Sequence, residues 1–168
     1  MTNEYKDNNH IGERKRGKSM NNILFVCTGN TCRSPMAEAL LKHHGKDSYQ
    51  VKSAGVFAMP GGPASQNAIL ALKNKGIETN HASQQITEDL LQWSTKVLSM
   101  TTNHKHILIS QFPQYSDKIF TLYEYSNGQN KDISDPYGGS LSIYENTLNE
   151  LEELVKQIVN NSSKNQEE

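Results

Sequence analysis

The stretch Val26-Cys27-Thr28-Gly29-Asn30-Thr31-Cys32-Arg33-Ser34-Pro35 decides how this chain folds and what chemistry it can hold. Before it, Ile23-Leu24-Phe25-Val26 is a short apolar run of the kind a buried parallel strand shows. After it, Pro35 suits the first position of a helix, and Met36-Ala37-Glu38-Ala39-Leu40-Leu41-Lys42 continues with strong helix formers. Cys27 to Ser34 therefore form a tight strand-to-helix turn. There, backbone N–H groups converge and the helix dipole favours negative charge. Cys27 supplies a nucleophile at one end. Arg33, six positions later, offers a two-pronged, charge-assisted grip on phosphoryl oxygens.

The spacing follows from the chemistry. A thiolate, not a thiol, attacks phosphorus, and a helix N-terminus with a neighbouring cation favours that form. Ser34 can donate its hydroxyl to the sulfur. Gly29 lets the backbone approach a ligand closely, and Asn30 tolerates the left-handed conformation that turns N–H groups inward. Thr28, Gly29, Asn30, Thr31, Cys32, Arg33 and Ser34 are thus the expected phosphate-binding set. Cys27 and Arg33 are the expected catalytic pair.

A second segment, Asp132-Ile133-Ser134-Asp135-Pro136-Tyr137-Gly138-Gly139-Ser140, supplies the complement. Pro136 restricts Asp135 to an extended conformation, and the glycines permit tight turning. Standing alone it reads as an Asp-Pro turn capped into a helix by Ser140. Beside the Cys27 turn, Asp135 is the candidate proton donor to a leaving group, with Asp132 the nearby competitor. Tyr137 offers an aromatic wall for a flat guanidinium or phenol group.

Cys-x5-Arg-Ser within the first strand–loop–helix unit resembles the low-molecular-weight protein tyrosine phosphatases. The resemblance runs from Met20 to about Val159. It implies a three-layer αβα fold with a four-stranded parallel sheet, no cofactor, no metal and a phosphocysteine intermediate. It also puts Asp135 in the place of the general acid. Cys-Thr-Gly-Asn-Thr-Cys-Arg-Ser-Pro-Met-Ala-Glu is more closely similar to the protein arginine phosphatase branch. Tyrosine-directed members carry larger aliphatic residues where this chain has Thr28 and Thr31. The resemblance therefore implies phosphoarginine in proteins as substrate, with Thr31 and Tyr137 as selectivity residues and phosphotyrosine as the alternative. A related arsenate reductase family has a similar turn, but its relay needs further cysteines, and this chain has only Cys27 and Cys32.

Composition narrows the class. A chain of 168 residues suffices for one α/β domain, and a net charge of −1 gives no strong pull toward nucleic acid or membrane. No run reaches transmembrane length and no secretory signal is recognisable. Two cysteines five apart make a poor disulfide framework and suit a reducing cytoplasm; the expectation is a cytoplasmic monomer acting on phosphorylated proteins. The same spacing lets Cys32 trap oxidised Cys27 as a reversible disulfide.

Along the chain, residues 1–19 read as a disordered extension or an upstream start, 20–160 as the domain, and 161–168 as a disordered tail. Gly45 is the expected cap of the first helix, and Tyr49–Ala54 the second strand. Gly55 to Pro63 reads as a loop near the mouth of the site. Helices follow from Ser65 to Gly76 and from Thr87. Lys96–Met100 is the third strand, a helix follows a Thr101/Thr102 cap, and Lys118–Leu122 is the fourth strand. From Ser140, Leu141, Tyr144, Leu148, Leu151, Leu154, Val155, Ile158 and Val159 form one apolar helical stripe, with Glu145, Glu150, Glu152 and Glu153 on a solvated face. Trp93 reads as a core anchor, and Tyr123 and Tyr125 as half-buried packing. His43-His44 suits a helix C-terminus. His104 and His106, two apart on a helix, make a poor metal pair.

Overall fold

The computed structural model describes residues 21–166; the extension expected at 1–19 lies outside them. In order come β1 (Asn22–Cys27), α1 (Arg33–Gly45), β2 (Gln50–Gly55), α2 (Gln66–Asn74) and α3 (Glu88–Trp93). Then follow β3 (Lys96–Ser99), α4 (Thr102–Gln111), β4 (Ile119–Thr121), α5 (Leu122–Asn127) and α6 (Leu141–Lys164), with short 3-10 turns at Lys46–Ser48 and Pro113–Lys118.

The four strands pair in the order β2-β1-β3-β4, all parallel. Because strand side chains alternate, β1 feeds two cores. Ile23, Phe25 and Cys27 face α1, α2 and α6, where Met36, Leu40, Leu72, Leu148, Leu151 and Val155 are buried. Leu24 and Val26 face the opposite layer, with Leu91 of α3 and Leu108 of α4. The chain leaves β1 toward β2 on one side and returns past it to β3 on the other. Such a reversal opens a crevice at the carboxyl end of β1, where Cys27 begins its turn.

Caps explain most boundaries. Thr87, Thr101, Thr121 and Ser140 each accept a hydrogen bond from the backbone N–H three residues on. Gly76 takes φ +77 just past α2, as a closing glycine should.

Several expectations need correction. Helix α1 starts at Arg33, two residues before Pro35, whose missing N–H is among the first-turn groups that lack a partner anyway. Gly45 is the last residue of α1, and the left-handed residue is Lys46, at φ 47. Gly45 is needed for another reason: a side chain there would collide with the Tyr49 ring. The fourth strand stops at Thr121, whose hydroxyl caps α5 at once. The stretch expected as a tail from 161 is helical as far as Lys164, because Tyr49 Oη docks it by donating to Ser162 Oγ at 2.6 Å.

Trp93 is half-buried at the edge of its core rather than an anchor, with the Lys52 ammonium 4.2 Å above its ring. The α6 glutamates are not simply solvated. Glu150 accepts from Tyr123 Oη at 2.5 Å and from the backbone N–H of Ser134 at 3.2 Å. Glu152 meets both His44 and Lys75; burial pushes its carboxyl up, but the hydrogen bonds from His44 and Lys75 and the Lys75 charge together hold it below the usual range. No helix among the described residues is long and apolar enough to cross a membrane.

Candidate active site

Residues 27–34 wrap a cavity of about 280 Å³ whose walls are Cys27, Thr28, Gly29, Thr31, Cys32, Arg33, Asp135 and Tyr137. Both expected segments therefore meet. The turn is held to its neighbours by backbone hydrogen bonds: Val56 N–H to Cys27 O, Phe57 N–H to Thr28 O, and Ser65 N–H to Thr31 O, at 2.8–3.0 Å. Gly55 at the end of β2 makes this closeness possible. A Cβ there would strike the Thr28 carbonyl and lie 3.0 Å from Asn30 N.

Asn30 and Ser34, expected to bind phosphate, turn their side chains away from the cavity and build the loop from behind. Asn30 is fully buried with φ 57, the left-handed conformation its sequence position suggests. Its amide nitrogen donates to Ser34 Oγ at 2.8 Å and Ser53 Oγ at 2.9 Å, and its oxygen accepts from Gln84 N–H at 2.9 Å. Ser53 passes its own hydrogen to Glu38 Oε1 at 2.6 Å. Ser34 Oγ accepts from Asn30 and lies 2.8 Å from Cys27 Sγ, so its own hydrogen is available to the sulfur when that is a thiolate. The Asn30 amide thus holds the Ser34 hydroxyl beside the sulfur. His81 Nε2 lies 2.7 Å from the Asn30 carbonyl and braces the same bend.

Arg33 has a side chain only 8% exposed and stands at the start of α1. Its Nη1 donates to the Ile133 carbonyl at 3.1 Å, and its Nη2 lies 3.6 Å from Asp135 Oδ2. Asp135 is 58% exposed; its other oxygen accepts from Tyr137 N–H at 3.1 Å, closing a turn. Gly138, at φ +76, completes that turn, and Tyr137 projects from the rim at 82% exposure. Asp132 lies outside the cavity walls, accepting from Thr102 N–H at 2.8 Å and Thr102 Oγ1 at 3.2 Å. Cys32 is buried, with its sulfur 3.3 Å from Tyr144 Oη and 3.6 Å from Ser65 Oγ. Thr31 Oγ1 lies 3.8 Å from that sulfur.

Sequence reasoning missed His104. It is 4% exposed, and its Nε2 lies 2.8 Å from Thr28 Oγ1. Burial first, then the Arg33 charge, lowers its pKa to about 4, so the ring is neutral at ordinary pH. The available signal was Thr101-x-x-His104 at the start of a helix, a cap whose imidazole faces back toward the sheet. Ser53, Gly55, His81 and Gln84 also escaped, because each joins the loop through tertiary contact alone. Among the described residues, no cluster of three or more His, Cys, Asp or Glu is placed to hold a metal ion.

The profile described as low molecular weight phosphotyrosine protein phosphatase matches residues 22–168. A protein-arginine-phosphatase of Bacillus subtilis (strain 168) is 52% identical over 139 residues, covering 81% of this chain and 93% of its own length. The structure of YwlE arginine phosphatase from Geobacillus stearothermophilus superposes with a TM-score of 0.85 at 46% identity, covering 87% of this chain and 95% of that one. A cysteine mutant of YwlE arginine phosphatase, solved with a phosphorylated active-site serine, superposes at 0.83 with 50% identity, covering 85% of this chain and 96% of that one. The chain belongs to the low molecular weight phosphotyrosine protein phosphatase family.

Proposed function

We propose that this protein hydrolyses phosphoarginine in proteins, with Cys27 as nucleophile, Arg33 as phosphoryl clamp and Asp135 as general acid and base. The observation that carries the reading is Cys27 Sγ 2.8 Å from the Ser34 hydroxyl, in a cavity also walled by Arg33 and Asp135. In the first step the Cys27 thiolate forms an S–P bond as the P–N bond breaks, and the Asp135 proton passes to the departing nitrogen. In the second, Asp135 as carboxylate takes a proton from water, which attacks phosphorus. The S–P bond breaks, phosphate leaves and the thiolate returns. Loop N–H groups and Arg33 stabilise the equatorial oxygens in both steps. The phosphorylated serine in a relative's active site supports a covalent route.

The names of the relatives favour arginine over tyrosine, and Thr31 in the cavity wall gives that preference a physical handle: a hydroxyl where an aliphatic group would offer none. The two free thiols suit the cytoplasm as the place of action. Rates on phosphoarginine and phosphotyrosine substrates, for wild type and Thr31→Ile, test the assignment. Wild type is expected to prefer phosphoarginine, and the substitution to move the ratio toward phosphotyrosine by about tenfold or more. A wild type that prefers phosphotyrosine, with a ratio indifferent to Thr31→Ile, removes the arginine reading.

A further inference from the structure

We infer that His104 is a positioning residue that turns the Thr28 hydroxyl hydrogen into the cavity, making that hydroxyl an added donor to the bound phosphoryl group. This rests on reading the cavity as a phosphatase site. The direction follows from hydrogen-bond bookkeeping along three side chains. Thr101 Oγ1 accepts from the His104 backbone N–H at 3.1 Å and lies 3.0 Å from His104 Nδ1. The Thr101 hydroxyl keeps its own hydrogen to give, and we assign it to Nδ1 of the neutral ring, the acceptor 3.0 Å away. A neutral imidazole accepting at Nδ1 carries its proton on Nε2. That proton is donated to Thr28 Oγ1, 2.8 Å away. The Thr28 hydrogen must then point away from the ring, and Thr28 lines the cavity beside Cys27 and Arg33.

The tautomer, assigned from these partners, thus fixes the polarity of a group two elements away. Nothing in the arrangement moves protons between molecules. The chain from Thr101 through His104 to Thr28 sets an orientation, so that the hydroxyl does not have to reorganise when an anion arrives. A helix-capping threonine on α4 is in this way coupled to the second residue of the phosphate loop.

The test compares wild type with Thr28→Val, Thr28→Ser, His104→Phe, His104→Gln and the Thr28→Val/His104→Phe double variant. Two readouts are used: kcat/KM on p-nitrophenyl phosphate, and competitive inhibition by inorganic phosphate. Thr28→Val and His104→Phe are each expected to lower kcat/KM and weaken phosphate inhibition about tenfold, the scale of one hydrogen bond to a charged group. The double variant should be no worse than either single one. Thr28→Ser keeps the hydroxyl and His104→Gln keeps an N–H donor, so both should retain most of the phosphate affinity. A folded His104→Phe with wild-type phosphate inhibition, or losses that multiply in the double variant, overturns the inference. Should His104→Phe not fold, the Thr28 pair still decides: phosphate inhibition unchanged in Thr28→Val overturns it. Wild-type turnover abolished by Cys27→Ser secures the phosphatase reading independently, and an inactive wild type sinks that reading instead.

Discussion

Arg33 Nη1 donates to the carbonyl of Ile133, 100 residues further along the chain, at 3.1 Å. One guanidinium thereby ties the turn after β1 to the segment that carries Asp135. Ile133 is itself fixed, 2% exposed and donating its N–H to Met100 O at 2.9 Å. Ser134 is held by Glu150. Asp135 therefore extends from an anchored point while remaining open to solvent.

For Asp135→Asn, kcat/KM on phosphoarginine, which reports the steps up to leaving-group departure, should fall by about 10²–10⁴-fold, the usual worth of a positioned acid. The loss on p-nitrophenyl phosphate should be smaller, since its phenolate needs little protonation to depart. Thermal unfolding should move little, because the carboxylate is mostly exposed. Equal losses on both substrates would remove Asp135 from the leaving-group side.

Asn30 combines backbone strain relief with a buried amide network. Asn30→Ala should lower the unfolding free energy by roughly 3 kcal/mol, from lost hydrogen bonds and an unfavourable positive φ. Asn30→Gly should recover about 1 kcal/mol of that through its tolerance of the left-handed region. Activity should fall alike in both, since both release Ser34. Urea titrations that rank Gly below Ala contradict this account.

His104 makes stability depend on pH. Its folded pKa, about 4, lies below the ordinary 6.5, so the unfolded chain binds the extra proton between those values. Stability should therefore rise as pH increases from about 4 to 6.5 and level off above; below about 4 both states are protonated. The contribution is at most about 3 kcal/mol. Unfolding measured across that window should show a shallower slope for His104→Gln than for wild type. An identical slope excludes the histidine as the source.

Cys32 shares the turn with Cys27 and rests against Tyr144 Oη. Peroxide should inactivate wild type, with recovery on adding dithiothreitol, as a disulfide would allow. Cys32→Ser should recover markedly less. Equal recovery rules out Cys32 as the resolving thiol.

The strand–turn–helix unit was legible because its signals are local: an apolar run, a nucleophile, a left-handed Asn and a helix former sequence. The parallel sheet followed from alternation. Leu122 misled as the apolar end of the strand expected over Lys118–Leu122, since only the Thr121 cap starts a helix there. His104 was invisible for a different reason. Its role depends on Thr28, 76 positions away, and nothing in either local pattern announces the other. The long helix α6 outlasted its expected end because Tyr49, on the far side of the sequence, docks Ser162.

The row Cys27–Ser34–Asn30–Ser53–Glu38 connects the reactive sulfur to a carboxylate behind the loop. Its middle member is a carboxamide, which gives hydrogens in both directions and does not readily ionise to hand one on. The row therefore orients without conducting: the sulfur is insulated at its back. The open side of the sulfur is the solvent-facing cavity, on whose wall the Asp135 carboxylate stands.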